Sequence, residues 1–306
     1  MPSWLVTGSN GFLGANAGYF LADEIDRIGL VRQPSASSTF PRQVVADLLD
    51  SDSLRDAVQS TRPNVILHCA ALASHEDCEA DPALARRMNV DATRTLAQAA
   101  ASVGSTFIYV STDSVFDGDR GNYCESDEPN PFSVYGETKL LGEAAAMEAC
   151  ADTLVVRTNF FGWSTTGTRS ILEFFVNALR DGRRINGYTD YVVSSIYAGQ
   201  LISLIQQLAT LAHRGIVHVG SADALSKHAF GLTVANGFGL PADLISPASA
   251  ADSGQGTSRA RNLSLDTALV ASLLGTPLPT QARGIRAACD DEQPVRAALQ
   301  SGENRA

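Results

Sequence analysis

Tyr135 and Lys139 stand four residues apart in Tyr135-Gly136-Glu137-Thr138-Lys139. On a helix that spacing puts them on one face. A free phenol titrates near 10, too high for acid–base work around neutrality. A nearby ammonium favours the phenolate, so Lys139 is expected to lower the Tyr135 value and let the phenol exchange a proton with a carbonyl or alcohol oxygen. Lysine is scarce in this chain: of 23 basic residues, only Lys139 and Lys227 are lysines. A third group, Thr112 in Ser111-Thr112-Asp113, offers a hydroxyl that could bind and polarise the same oxygen. Its plainer role is strand-end turn chemistry or a helix cap.

A second constellation is Thr7-Gly8-Ser9-Asn10-Gly11-Phe12-Leu13-Gly14, with glycines at 8, 11 and 14. Glycine permits a tight turn and close approach to a pyrophosphate, and a helix N-terminus offers free N–H groups to it. The apolar run before the turn and the helical pattern after it supply the required context. Gly8, Asn10, Gly11, Phe12, Leu13 and Gly14 are therefore candidate cofactor residues. A dinucleotide site for NAD usually has an acid at the end of the second strand. Here Leu30-Val31-Arg32-Gln33-Pro34-Ser35 holds none before Asp47, and Arg32 could grip a 2′-phosphate bidentately. NADP(H) is thus preferred, with NAD(H) the alternative. Asp47, with Leu48 beside it, could accept from an adenine amino group, or Asp47 could cap a helix starting near Ser51.

These groups need elements to hold them. Strand candidates are Trp4–Thr7, Ile28–Val31, Gln43–Ala46, Val65–Cys69, Phe107–Val110 and Leu154–Val156. Between them lie an amphipathic run from Phe12 to Ile25 and an alanine-rich helix from Asp81 to Val103 with proline at its first position. Near-continuous apolar strands alternating with helices predict an α/β fold, a doubly wound parallel sheet covered on both faces. After about residue 160 helical stretches (Ser170–Arg180, Ile196–Leu211, Lys227–Asn236) alternate with isolated strands such as Gly215–Val219. Gly239 to Ser258 reads as loop. The expected division is a dinucleotide-binding domain 1–160, a smaller, irregular substrate lobe 161–290 with some segments returning to the sheet, and a polar tail 291–306 with little to hold it in place.

Composition excludes several classes. The chain has 306 residues and a formal net charge of −10, with 44% hydrophobic and 18% charged residues. That is an ordinary globular balance. Net acidity disfavours nucleic acid, whose binding rests on phosphate neutralisation. No apolar run reaches the roughly 20 residues of a membrane helix, and the first residues do not resemble a secretory signal. The five cysteines form no CxxC pair and read as reduced thiols in a cytoplasmic protein. No metal site is expected: His68 and His75 lack a third ligand, and Glu76, Asp77 and Glu79 read as a solvated turn.

These residues carry a family resemblance. From Leu5 to about Leu274 the chain resembles the extended short-chain dehydrogenase/reductases, and among them the dTDP-4-dehydrorhamnose reductase family. The specific segments are Ser111–Gly118 and Tyr135–Lys139 with Leu141-Gly142-Glu143. His68–Ala71, Met88-Asn89-Val90 and Val156-Arg157-Thr158 accompany them. The resemblance implies that Tyr135 is the general acid, that Lys139 positions the nicotinamide ribose, and that Thr112 binds the substrate oxygen. It places Cys69, Ala70 and Ala71 along the cofactor and makes Asn89 structural. It implies hydride transfer from NAD(P)H to the keto group of a nucleotide-activated deoxysugar, with a homodimer as a family-level expectation. Asn159 and Phe160 stand where the family commonly has Ser-Trp, and Ser194–Tyr197 where it has Ser-Pro-Thr-Tyr. Both departures, with Asp113, are expected at the sugar. Arg259 or Arg261 could hold the diphosphate, or be ordinary exposed arginines of an arginine-rich chain. An epimerase on a similar substrate, or a dinucleotide-binding regulatory subunit without turnover, are the alternatives. A dehydratase is disfavoured, since Asp113-Ser114 lacks the Asp-Glu pair that follows its threonine.

Overall fold

The computed structural model describes residues 1–251 and 261–301. Seven strands form one parallel sheet: β1 (Ser3–Thr7), β2 (Asp26–Val31), β3 (Arg42–Val45), β4 (Val65–His68), β5 (Thr106–Thr112), β6 (Thr153–Thr158) and, from the second half, β11 (Gly215–Val219). Their order is β11-β6-β5-β4-β1-β2-β3. The chain winds one way from β1 and then the other way from β4. The carboxyl ends of β1 and β4 therefore flank a topological switch point, where doubly wound sheets bind ligands.

Both sheet faces are covered, as near-continuous apolar strands require. Trp4 and Val6 of β1, with Ile108 and Val110 of β5, face one core. Leu5, Phe107 and Tyr109, which alternate with them, face the other. The first core is closed by α1 (Phe12–Phe20), with α8 (Ala198–Thr210) and α10 (Ala268–Leu274). The second is closed by α2 (Ser51–Thr61), α5 (Ala92–Val103) and α6 (Val134–Ala149). Helix α5 continues α4 (Pro82–Arg86) through a π-helical turn at Arg87–Asp91, so the expected Asp81–Val103 helix forms with one bulge. Before it comes the short α3 (His75–Ala80).

Residues after 160 build the remaining elements: β7 (Phe160–Phe161), α7 (Ile171–Arg180), β8 (Ile185–Tyr188), β9 (Val192–Val193), β10 (Ile196–Tyr197), β12 (Leu225–Ser226), α9 (Lys227–Phe238), β13 (Ile245–Ala248), α11 (Gln281–Asp290) and α12 (Glu292–Ser301). Aromatic packing around Phe161, Trp163, Phe175 and Phe230 makes a third core there.

Four expectations need correction. Helix α1 ends at Phe20 rather than Ile25, and Leu13 to Tyr19 are all buried, so it is not amphipathic. It lies between the sheet and the later helices and has no solvent face to make polar. The expected loop from Gly239 contains β13, paired in parallel with β8. The helix expected from Ile196 begins at Ala198, because Ile196 and Tyr197 pair with β7. The polar tail is a helix over 292–301: Val295, Ala298 and Leu299 are buried, and Arg180 clamps Glu292 through two bonds of 2.6 and 2.7 Å.

Candidate active site

Helix α6 carries Tyr135 in its first turn. The Ser133 hydroxyl accepts from Gly136 N at 3.2 Å and Glu79 accepts from Val134 N at 2.9 Å, so two side chains fix the helix start. Glu79 of the acidic turn thus has a structural partner. A Cβ on Gly136 would lie 2.1 Å from the Ser114 carbonyl, so only glycine lets α6 sit this close to the end of β5. That approach brings the Tyr135 phenol beside the Thr112 hydroxyl, whose proximity favours the ionised phenol. The His75 ring packs on Tyr135 with centroids 4.9 Å apart.

Lys139 lies one turn further along and is buried. Its Nζ donates to the Val110 carbonyl at 2.8 Å and sits 4.0 Å above the Tyr109 ring. Burial pulls its value down to about 7, with Glu143 and Cys69 acting against that. The Tyr135 phenol is pushed up to about 12, by desolvation first and by Asp113 as well, with Thr112 opposing. The expected lowering of Tyr135 by Lys139 is therefore corrected. The ammonium is aimed at a sheet carbonyl, and enclosure of the phenol outweighs any nearby positive charge. Beneath Lys139, Glu143 and Arg157 form a buried two-bond ion pair (Nε to Oε1 2.9 Å, Nη2 to Oε2 2.7 Å), with Ser111 Oγ also donating to Glu143.

Thr112 Oγ1 accepts from Ser114 N at 3.1 Å and donates to Asp113 Oδ1 at 3.1 Å. Asp113 is 1% exposed. Burial raises its value to about 6, against hydrogen bonds from Asn159, Thr112 and Ser114.

One cavity of about 1120 Å³ joins these residues to the glycine turn. Its wall includes Gly8, Asn10, Gly11, Phe12 and Leu13 from the turn, and Arg32, Asp47 and Leu48 beyond β2 and β3. Cys69, Ala70 and Ala71 follow β4, and Thr112, Asp113, Tyr135, Lys139, Asn159 and Phe160 complete it. Gly14 stands behind the wall: a Cβ there would meet the Gly8 carbonyl at 2.1 Å, so it serves the close packing of helix and turn. The N-terminus of α1 has no side-chain cap and no acid in its first turn, and Arg32 is exposed at the rim. These residues fit a dinucleotide phosphate group. The volume, at the upper end of ordinary ligand pockets, leaves room for a second ligand.

Other positions differ from expectation. Asp47 accepts from Leu49 N, while Asp50 caps α2, so the capping alternative for Asp47 is corrected. Ser194–Tyr197 are buried outside the cavity wall. Ser195 donates to Asn159 Oδ1 and Tyr197 to Asp291, so their contacts run behind the wall. Asn159 reaches the wall with its amide committed to Asp113, Nδ2 to Oδ2 2.8 Å. Arg261 is exposed and does not line the cavity, and Arg259 lies outside the described residues. His68 is held between Thr7 (2.6 Å) and Thr93 (3.0 Å), and Asn89 clamps Leu72 to Thr138. Sequence reasoning missed Arg169, Tyr191, Met88 and the wall position of His75. Arg169 and Tyr191 lie in loops whose path back to the sheet has no local signature. Among the described residues, no cluster of three His, Cys, Asp or Glu is placed to hold a metal, and no helix is long and apolar enough to cross a membrane.

Comparison with known proteins adds four findings. A family model described as RmlD substrate binding domain matches residues 3–293. The "Methionine adenosyltransferase 2 subunit beta" of Danio rerio is 31% identical over 275 residues, 86% of this chain and 82% of its own. The "Probable low-salt glycan biosynthesis reductase Agl14" of Haloferax volcanii is 29% identical over 280 residues, 90% of this chain and 93% of its own. Among solved structures, a dTDP-4-dehydrorhamnose reductase from Bacillus anthracis in complex with NADP superposes with a TM-score of 0.85 at 24% identity, covering 95% of this chain and 100% of its own. At that identity the likeness speaks for the fold.

Proposed function

Because the chain belongs to the RmlD substrate binding domain family, we propose that it is an NAD(P)H-dependent reductase of a nucleotide-activated 4-keto deoxysugar, with NADP(H) preferred. The observation that carries this reading is the meeting of Thr112, Tyr135 and Lys139 in one cavity with the uncapped α1 N-terminus and Arg32. The bound cofactor supplies the hydride. Backbone N–H groups of the Gly11–Leu13 turn hold its pyrophosphate, and Arg32 takes the 2′-phosphate. Lys139 orients the nicotinamide ribose. Thr112 binds the keto oxygen, and Tyr135 gives its proton to the oxygen as charge develops there.

The high Tyr135 value suits a phenol that enters the reaction carrying its proton. A phenol held at about 12 keeps its proton at neutral pH. It still protonates an alkoxide readily, since alkoxides are about as basic as hydroxide, whose conjugate acid, bulk water, has a pKa of about 15.7. Arg169 is the further cation on the wall, suited to the diphosphate of the sugar nucleotide.

A second reading is a dinucleotide-binding regulatory subunit without turnover. It draws support from the Danio rerio relative, whose name is that of a subunit. NADPH oxidation with a panel of nucleotide 4-keto sugars separates the two. Turnover that disappears in Tyr135→Phe upholds the reductase. NADPH binding with no turnover on any sugar sinks it and leaves the second reading.

A further inference from the structure

The hydrogen bonds around Thr112 set a problem for any substrate oxygen. A threonine hydroxyl has one proton. Here that proton goes to Asp113 Oδ1 at 3.1 Å, while the oxygen accepts from Ser114 N. With Asp113 ionised, Thr112 turns only lone-pair density toward the cavity, which repels a keto oxygen rather than polarising it.

The surroundings of Asp113 resolve this. Ser195 Oγ donates to Asn159 Oδ1 in the amide orientation of this network. Asn159 Nδ2 points at Asp113 Oδ2, 2.8 Å away, and that oxygen accepts the bond. A proton taken up by Asp113 is best placed on Oδ1, the oxygen free of the amide, which faces Thr112 at 3.1 Å and the Ser114 hydroxyl at 3.4 Å. Oδ1–H then donates to Thr112 Oγ1, and the threonine proton turns into the cavity. Ser195 is held in its turn by Ser221, whose Oγ donates to the Ser195 carbonyl at 2.6 Å.

We propose that Asp113 is a positioning residue that works in its neutral form, and that Ser195, Asn159, Asp113 and Thr112 make a directed hydrogen-bond chain ending on the substrate keto oxygen. The inference rests on the reductase reading. No net bond is made or broken along the chain; one proton from solvent occupies Asp113, and the hydroxyls reorient. The groups facing Asp113 are Thr112 and Ser114 from the end of β5, Asn159 after β6, and Tyr135 from α6, the last being the titratable one. No cation is paired with the carboxyl among the described residues.

Three measurements on the full chain test this. The kcat of the wild type should fall as pH rises through the ionisation of Asp113. Asp113→Asn offers an amide that donates but cannot ionise; it should abolish that limb while lowering kcat by far less than Asp113→Ala, for which about a 10²-fold loss is expected. Carboxyl ¹³C titration of the NADP complex should find Asp113 neutral where kcat is highest. The proposal is overturned if Asp113→Asn is as impaired as Asp113→Ala, if the limb persists in it, or if the carboxyl is ionised at the kcat maximum. Should the wild type reduce no sugar, the reductase reading has failed, and the titration in the NADP complex then decides alone. A carboxyl that titrates at the ordinary 3.8 in that complex overturns the chain, and one that holds its proton up to about 6 or above upholds it.

Discussion

Replacing Tyr135 by Phe removes one oxygen and keeps the ring against His75. Positioned proton transfer contributes typically 10²–10⁴-fold, so kcat should fall by about that range while NADPH affinity, followed by fluorescence titration, stays near wild type. A matching loss in binding would mean the phenol serves the fold instead. Arg32 is exposed at the cavity rim, just after β2. If it meets a 2′-phosphate, Arg32→Ala should weaken NADPH binding by about tenfold or more, one to two charge-assisted hydrogen bonds, and leave NADH binding alone. Equal changes for both dinucleotides would remove the phosphate role. These residues were legible because their signals are local: Tyr and Lys four apart, glycines three apart, no acid between Leu30 and Asp47. Tyr135's proton affinity was not, because it depends on enclosure by segments distant in sequence. Arg169 and Tyr191 were missed for the same reason.

Helix α6 does most to place the chemistry, and its inner face is held by charge. Glu143 and Arg157 are 1% and 2% exposed, with two Arg157 nitrogens on the carboxylate and Ser111 adding a third donor. Two motif segments, Leu141-Gly142-Glu143 and Val156-Arg157-Thr158, are thereby explained as one contact. Removing one partner of a buried pair leaves a desolvated charge behind. Glu143→Gln should therefore lose about 3–5 kcal/mol in urea unfolding, far more than a surface pair such as Arg55–Asp52 could. A loss below 1 kcal/mol would show that Arg157 finds other partners. The elements of the first half were readable because strands buried on both faces leave long apolar runs. The strands β7, β9, β10 and β12 were not, since two residues carry no period. Helix α12 was hidden by its polar start: Val295, Ala298 and Leu299 recur at helical spacing, but Glu292, Gln293, Pro294 and Arg296 interrupt the apolar pattern. The segment looked loose because its partner, α1, lies at the other end of the chain.

Across the whole molecule, acidity and histidine burial combine into a pH response. A chain at −10 must draw anionic ligands locally, and the cavity wall supplies Arg32, Lys139 and Arg169 for that. Stability is set elsewhere. His68, the last residue of β4, lies between Thr7 and Thr93, and His218 on β11 is fully buried. Burial, with Lys139 adding to it, lowers His68 from 6.5 to about 3. Burial, with Arg157 adding, lowers His218 from 6.5 to about 4. Above 6.5 both are neutral in folded and unfolded chain alike. Below it the unfolded chain takes protons that the folded one refuses, so stability falls as pH drops toward those lowered values. Asp113 acts oppositely: raised from 3.8 to about 6, it binds its proton first in the folded state and gains stability over that interval as pH falls. Two histidines against one carboxyl leave a net loss on acidification. Each proton taken up on unfolding adds a slope of about 1.4 kcal/mol per pH unit. Urea unfolding at a series of pH values should show a declining acid limb. His68→Gln should start less stable at neutral pH, having lost the paired ring, yet decline less steeply by about one proton. Parallel acid limbs in the two proteins would mean that His68 accepts a proton in the folded state and that the acid response belongs to the carboxylates.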